Sequence, residues 1–116
     1  MNYTCVNRRG NVMHAQISLA TGSETIRTLG MRATATPFRM EIERHLKLGE
    51  AISIDFSNKD ATQSFVDELV GALILKHGRT VLAQLTFKNC SDDLKSIIRF
   101  VINDRVTQVE TNRAIA

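Results

Sequence analysis

Two cysteines, one proline and six glycines in 116 residues leave several classes of protein without their raw material. Cys5 and Cys90 sit in different contexts with no metal-ligand spacing around either, and an intracellular chain keeps both thiols reduced. Proline and glycine at this level exclude collagen-like and low-complexity character. No apolar run approaches the roughly 18 residues that cross a bilayer, and the opening Met1-Asn2-Tyr3-Thr4 is unlike a signal peptide. A cytoplasmic protein without a membrane segment is expected. Catalytic motifs are missing too: there is no Gly-rich phosphate loop, His-Glu-x-x-His, Cys-x-x-Cys or Gly-x-Ser-x-Gly elbow. His14, His45 and His77 are isolated from one another, and an isolated histidine is more often a surface or satisfied core residue than a ligand. The chain is therefore expected to be no enzyme and to need no metal or cofactor.

What is present is ordinary globular material. With 43% hydrophobic and 23% charged residues, residues 1–116 can bury the core of one domain and leave no room for a second. The net charge of +3 is uneven: residues 1–50 hold seven Lys/Arg against four Asp/Glu, and residues 51–116 hold eight of each. Arginines in the first half are scattered, and only Tyr3 and Phe38 supply aromatic rings there. A nucleic-acid groove asks for a denser basic stripe and, for single strands, stacking rings, so nucleic-acid binding is a minor alternative.

Periodicity gives the order of elements. Tyr3 to Val6 is strand-like, 7–11 is turn chemistry, and Met13, Ala15, Ile17 and Leu19 alternate with polar residues, which together predict an N-terminal antiparallel hairpin at an open edge. Residues 20–36 carry Arg27 and Arg32 without a sustained period, and their role stays open. Thr36-Pro37 reads as a helix start, Phe38, Ile42 and Leu46 as its buried row, and Gly49 as its stop, giving a helix over 37–48. A core strand runs from Ala51 to Phe56. After a polar loop, Ser64 and Asp67 match a capping box, and the rows Phe65/Leu69/Leu73 and Val66/Val70/Ile74 predict a helix with a wide buried face. Gly71 in its middle implies that something packs closely there. Val81 to Phe87 reads as a strand parallel to the first. Ser91 caps a last helix whose Leu94, Ile97, Ile98, Val101 and Ile102 fit one face, with a short strand or loose tail over 106–116. The fold class is α/β, a small mixed sheet flanked by helices.

Chemistry-bearing residues gather in one region. Asp55 ends a strand at the edge where open α/β sheets place ligands and interfaces. Ser57, Asp60, Thr62, Ser64, Asp67 and Glu68 follow on the loop and first helical turns. They serve as turn residues and caps, and equally as a recognition surface whose hydroxyls accept a phosphate: roughly two added negative charges beside these carboxylates would repel a docked partner. Cys90 precedes a helix N-terminus, where a dipole lowers a thiol's pKa, but no histidine is placed near it by sequence.

Ile52-Ser53-Ile54-Asp55-Phe56, then Thr62-Gln63-Ser64-Phe65-Val66-Asp67-Glu68-Leu69-Val70-Gly71, resemble the family of STAS-like domains of unknown function. The likeness continues through Leu85-Thr86-Phe87-Lys88-Asn89-Cys90-Ser91 and reaches back to Arg32, covering about residues 32–105. It leaves a hairpin and loop over 1–31 and a tail over 106–116. The resemblance implies a STAS-type fold. It also implies regulation: in the anti-anti-sigma relatives, a Ser or Thr at the start of the helix after the central strand is phosphorylated by a GHKL-type ATPase kinase, which switches binding off. Thr62 and Ser64 are the matching positions here. The loop after Phe56 is about one residue shorter than in the family, and Lys59-Asp60-Ala61 replaces small and apolar residues.

The expected function is thus a non-catalytic regulatory interaction module, a monomer or weak homodimer. Its expected partner is a GHKL-type ATPase or sensor kinase, met through Asp55, Ser57, Asp60, Thr62, Ser64, Asp67 and Glu68. The alternatives are a stand-alone or phage-borne protein inhibitor on the same fold and, below it, a nucleic-acid binder.

Overall fold

A computed structural model describes residues 2–4, 14–19 and 28–115, with side chains for 14–19 and 28–111. In chain order these form β1 (Asn2–Thr4), β2 (His14–Ser18), β3 (Thr28–Leu29), α1 (Arg32–Lys47), β4 (Ala51–Asp55), β5 (Asp60–Ala61), α2 (Gln63–Val66), a π-helical turn (Asp67–Gly71), α3 (Ala72–His77), a 3-10 helix (Arg79–Gln84), β6 (Leu85–Lys88) and α4 (Asp92–Ile115). The main sheet has the order β1-β2-β4-β6, and β3 pairs with β5 in a second, two-stranded sheet.

The three strands β2, β4 and β6 are parallel and step across the sheet in one direction. Register brings Ala15, Ile52 and Leu85 side by side, and likewise Ile17, Ile54 and Phe87. With a side-chain period of two, these six share one face, and Gln16, Ser53 and Thr86, then Ser18, Asp55 and Lys88, share the other. One face is apolar and one polar. Crossovers of the same hand stepping the same way put their helices on the same face. Buried residues of α1, of the rod α2–π–α3 and of α4 join Ile17, Ile52 and Ile54 in a single core cluster.

The parallel pairing of the strands at 51–55 and 85–88 is as the sequence predicts, and so is the wide face of the second helix. Phe65, Val66, Leu69, Val70, Leu73 and Ile74 are all fully buried. Ser91 caps α4, its Oγ accepting from the Leu94 N–H at 3.1 Å. Gly49, at φ +76°, ends α1 in the left-handed conformation. At the N-terminus, β1 runs antiparallel to β2. The expected hairpin turn between them lies outside the described residues, as do 20–27. Nor is β2 an open edge, because β4 pairs along its other side.

Four local expectations are corrected. The first helix starts at Arg32, one and a half turns before Pro37. Pro37 has no N–H for the Ala33 carbonyl, but Ala33 lies at the exposed beginning of the helix, where a lost helical bond is least costly. Tertiary contacts hold that first stretch, since Ala35 is fully buried and Arg32 pairs with Asp67. Thr36 is no cap: its hydroxyl donates to the Arg32 carbonyl at 3.2 Å. The second correction concerns 79–84, which coil as a 3-10 helix and leave only Leu85–Lys88 as strand. Gly78, at φ +85°, redirects the chain so that Val81 is buried and the Gln84 amide donates to the Glu50 carbonyl at 3.0 Å, while Ala83, which alternation placed inside, is exposed. Third, 106–115 continue α4 rather than forming a strand or tail. Val106 and Val109 pack on the core and Arg79 pairs with Glu110 at 2.9 Å, so the apolar period persists with Arg105 interrupting it. The fourth is β5, a strand inside the expected polar loop, held by pairing with β3.

The rod from 63 to 77 carries one extra residue in its middle turn, where the Ala72 N–H bonds to the Asp67 carbonyl. Gly71 lies beneath that turn. A Cβ there would collide with the Asp67 carboxylate and press on the Arg105 stem, which is the close approach its position implies. Gly71→Ala is therefore expected to destabilise the protein by about 1–3 kcal/mol, seen as a lower urea midpoint with an unchanged slope. An unchanged midpoint would show that the carboxylate can swing aside freely.

Candidate functional site

The carboxyl ends of β2, β4 and β6 bring Ser18, Asp55 and Lys88 to one edge of the sheet. Asp55 organises that edge. Its Oδ1 accepts from the Ser57 N–H at 2.8 Å and from the Asn89 side-chain amide at 2.9 Å, joining the turn after β4 to the turn after β6. The Asn58 N–H then donates to the Asn89 carbonyl at 3.0 Å. Ser57, Asn58 and Asn89 all have positive φ, near 54°, 61° and 55°. Asparagine enters this region readily, whereas Ser57 is held there by the Asp55 bond. The Ser57 hydroxyl lies 3.5 Å from that of Ser18.

Thr62 and Ser64 differ sharply in availability. Thr62, not Ser64, caps the helix: its Oγ1 accepts from the Phe65 N–H at 3.2 Å and donates to the Gly30 carbonyl at 2.9 Å. Both roles of that hydroxyl are in use. Ser64 is exposed on the first turn, as is Gln63, and Asp60 is exposed on β5 just before it. The expected capping box does not form, because the Asp67 carboxylate is engaged elsewhere.

Asp67 and Glu68 do not face outward with the others. Asp67 accepts from Arg32 at 2.8 Å and from Arg105 at 2.6 Å, clamping α1 and α4 to the π turn with its side chain 13% exposed. Glu68 accepts from Arg39 at 3.1 Å and from the Thr36 hydroxyl at 3.3 Å. Both hold helices together rather than offering charge to a partner. Burial raises the Asp67 pKa, but the bonds and charges of Arg105 and Arg32 outweigh it and hold the carboxyl below its ordinary value. Glu43 behaves likewise: burial is opposed by His77, Lys76 and Arg39, and the net direction is down.

Of the seven candidates, then, Asp55, Ser57, Asp60, Thr62 and Ser64 lie along the sheet edge and the start of the rod, with Thr62 inward, and Asp67 and Glu68 are structural. Sequence reasoning missed Asn58 and Asn89, which lock the two turns; an Asn in a turn between apolar strands was the available signal. It also left the role of Arg32 open, which is the clamp on Asp67. Cys90 runs against the dipole argument: burial pushes its thiol up, with Lys95 lowering and Asp55 raising it.

Fold and edge together define a small α/β domain of parallel strands with helices on one face and a polar carboxyl edge. A family model described as a STAS-like domain of unknown function matches residues 34–95, more than half of the chain, and the protein belongs to that family. No curated protein and no solved structure matches the chain.

The lowered pKa of Asp67 fixes a pH dependence. A carboxyl held lower when folded than when unfolded contributes its stability above the unfolded value near pH 4, and that contribution is lost as pH falls through the folded value. Unfolding free energy is therefore expected to drop as pH falls below about 4. Asp67→Asn should cost about 2 kcal/mol at pH 7 and flatten the acid slope. Urea titrations from neutral to acid pH check this, and an Asp67→Asn protein with the acid slope of the parent would refute it.

Proposed function

We propose that this protein is a non-catalytic regulatory module that docks a protein partner through the edge formed by the 57–60 turn and the first turn of the rod at Gln63 and Ser64. The observation that carries the reading is the exposure of Ser64 and Asp60 on a rigid base: the Thr62 cap, its bond to Gly30 and the Asp55 lock fix the backbone on both sides of them. A surface whose backbone is already ordered loses little entropy on docking. Membership of the STAS-like family supports the same regulatory role.

Ser64 is the hydroxyl assigned to switching. A kinase reaches it without breaking the helix, whereas phosphate on Thr62 would cost the cap and the bond to Gly30. Phosphate on Ser64 would add roughly two charges near Asp60, and a partner that tolerates the neutral edge would be repelled. A GHKL-type ATPase that is both kinase and partner suits this chemistry.

The test is affinity capture of the tagged protein from its host's lysate with and without ATP, with mass spectrometry of the bound proteins and of the peptide covering Thr62 and Ser64. One stoichiometric ATPase is expected, with phosphate on Ser64 when ATP is added. Ser64→Glu should weaken that partner by at least about tenfold, the equivalent of 1.4 kcal/mol, at unchanged urea stability, and Ser64→Ala should bind normally. Full affinity in a folded Ser64→Glu protein would end the switch reading.

A further inference from the structure

β6 is the outer strand of its sheet, and among the described residues nothing pairs with its far side. The Phe56 N–H donates to the Lys88 carbonyl at 3.0 Å, so Lys88 and Thr86 turn their main-chain groups toward β4. Leu85 and Phe87 therefore turn their N–H and C=O groups outward. Such an edge is a template for a further strand.

A cavity of about 640 Å³ opens between the end of β6 and α4. Phe87, Ile98 and Ile102 give it an apolar floor, Lys95 and Arg99 stand at its rim, and no carboxylate of the described residues lines it. Lys88 and Arg99 are exposed, and the acid paired with Lys95 is the wholly exposed Asp92 at 4.0 Å, a contact of little strength. Open strand edge, apolar hollow and the positive charge of Lys95 and Arg99 thus coincide.

We propose that this edge binds an extended, acidic segment of a partner protein that carries apolar residues for the cavity. The segment adds to β6 as a fifth strand, pairing its main chain with Leu85 and Phe87. On the Phe87 face, which α4 covers, its apolar side chains fill the cavity and an acidic one meets Lys95 and Arg99 at the rim; on the opposite face an acidic side chain meets Lys88. This is strand addition, in which the backbone supplies affinity and alternate side chains supply specificity. The surface adjoins the 57–60 turn at Asn58 but does not include Ser64, so the inference does not depend on the switch.

The experiment pans a displayed library of short random peptides against the full chain, then titrates the enriched peptides into isotopically labelled protein and follows amide exchange by NMR. Acidic sequences that carry apolar residues are expected, with new protection of the Leu85 and Phe87 amides. The double substitution Lys95→Glu and Arg99→Glu, at exposed positions that leave the core intact, should weaken binding by about tenfold. Failure to enrich any binder, enrichment without an acidic bias, or protection that maps elsewhere would overturn the proposal. Concentration-dependent protection of Leu85 and Phe87 without peptide would overturn it in favour of a second copy of this chain.

Discussion

Three parallel strands with a single apolar face are the constraint on which the rest of this structure depends. Ala15, Ile17, Ile52, Ile54, Leu85 and Phe87 must all be covered from one side, so α1, the 63–77 rod and α4 are packed together over that face. Crowding three helices onto one side brings their polar flanks into contact with one another. Charges there cannot all reach water, and they are satisfied between helices instead. Asp67 between Arg32 and Arg105, Glu68 with Arg39, and Glu43 with Arg39, Lys76 and His77 are the result. His45, at the far end of α1, is buried with Glu50 at its Nδ1 and Glu41 near its Nε2, a contact within α1 and the turn after it.

These ion pairs set geometry more than they add stability. A partly buried pair regains in Coulomb energy roughly what desolvation costs, while leaving one partner unpaired is costly. The π turn fits this picture. One extra residue between Asp67 and Gly71 lets the carboxylate fold back over a glycine and reach α4, while the apolar rows on either side remain fully buried. The hydrophobic core supplies the driving force, and the charged seam selects one arrangement of the helices from the several that an apolar face would accept.

The polar side of the architecture is arranged for recognition. Asp55 ties two turns with one oxygen, bonding Ser57 and Asn89 in the left-handed region, so the carboxyl edge is pre-organised. Ser64 and Asp60 stand beside that edge in solvent, and the β6 edge with its hollow offers a second, chemically different surface. A small domain with two such surfaces can be bound at one and read at the other.

Periodicity alone determined the parallel βαβ core, the buried rows of the second helix, the Ser91 cap and the Gly49 stop, because each depends on side chains within a few residues of one another. The close approach at Gly71 was legible for the same reason: a glycine between two apolar rows has few other uses. The region of the candidate site was legible too, since strand ends and helix starts in an α/β chain converge on one edge. Which side chains face outward there was not. Asp67 and Glu68 looked like neighbours of Ser64, but their partners Arg32, Arg105 and Arg39 are 29 to 38 residues away, and only packing brings them together. The early start of α1, the 3-10 turn before β6, the β3–β5 pairing and the continuation of α4 past Arg105 have the same origin. In each, a distant contact outweighed a local preference, from a few tenths of a kcal/mol up to about 3 kcal/mol for Pro37 inside α1, and distant contacts exist only once the chain has folded.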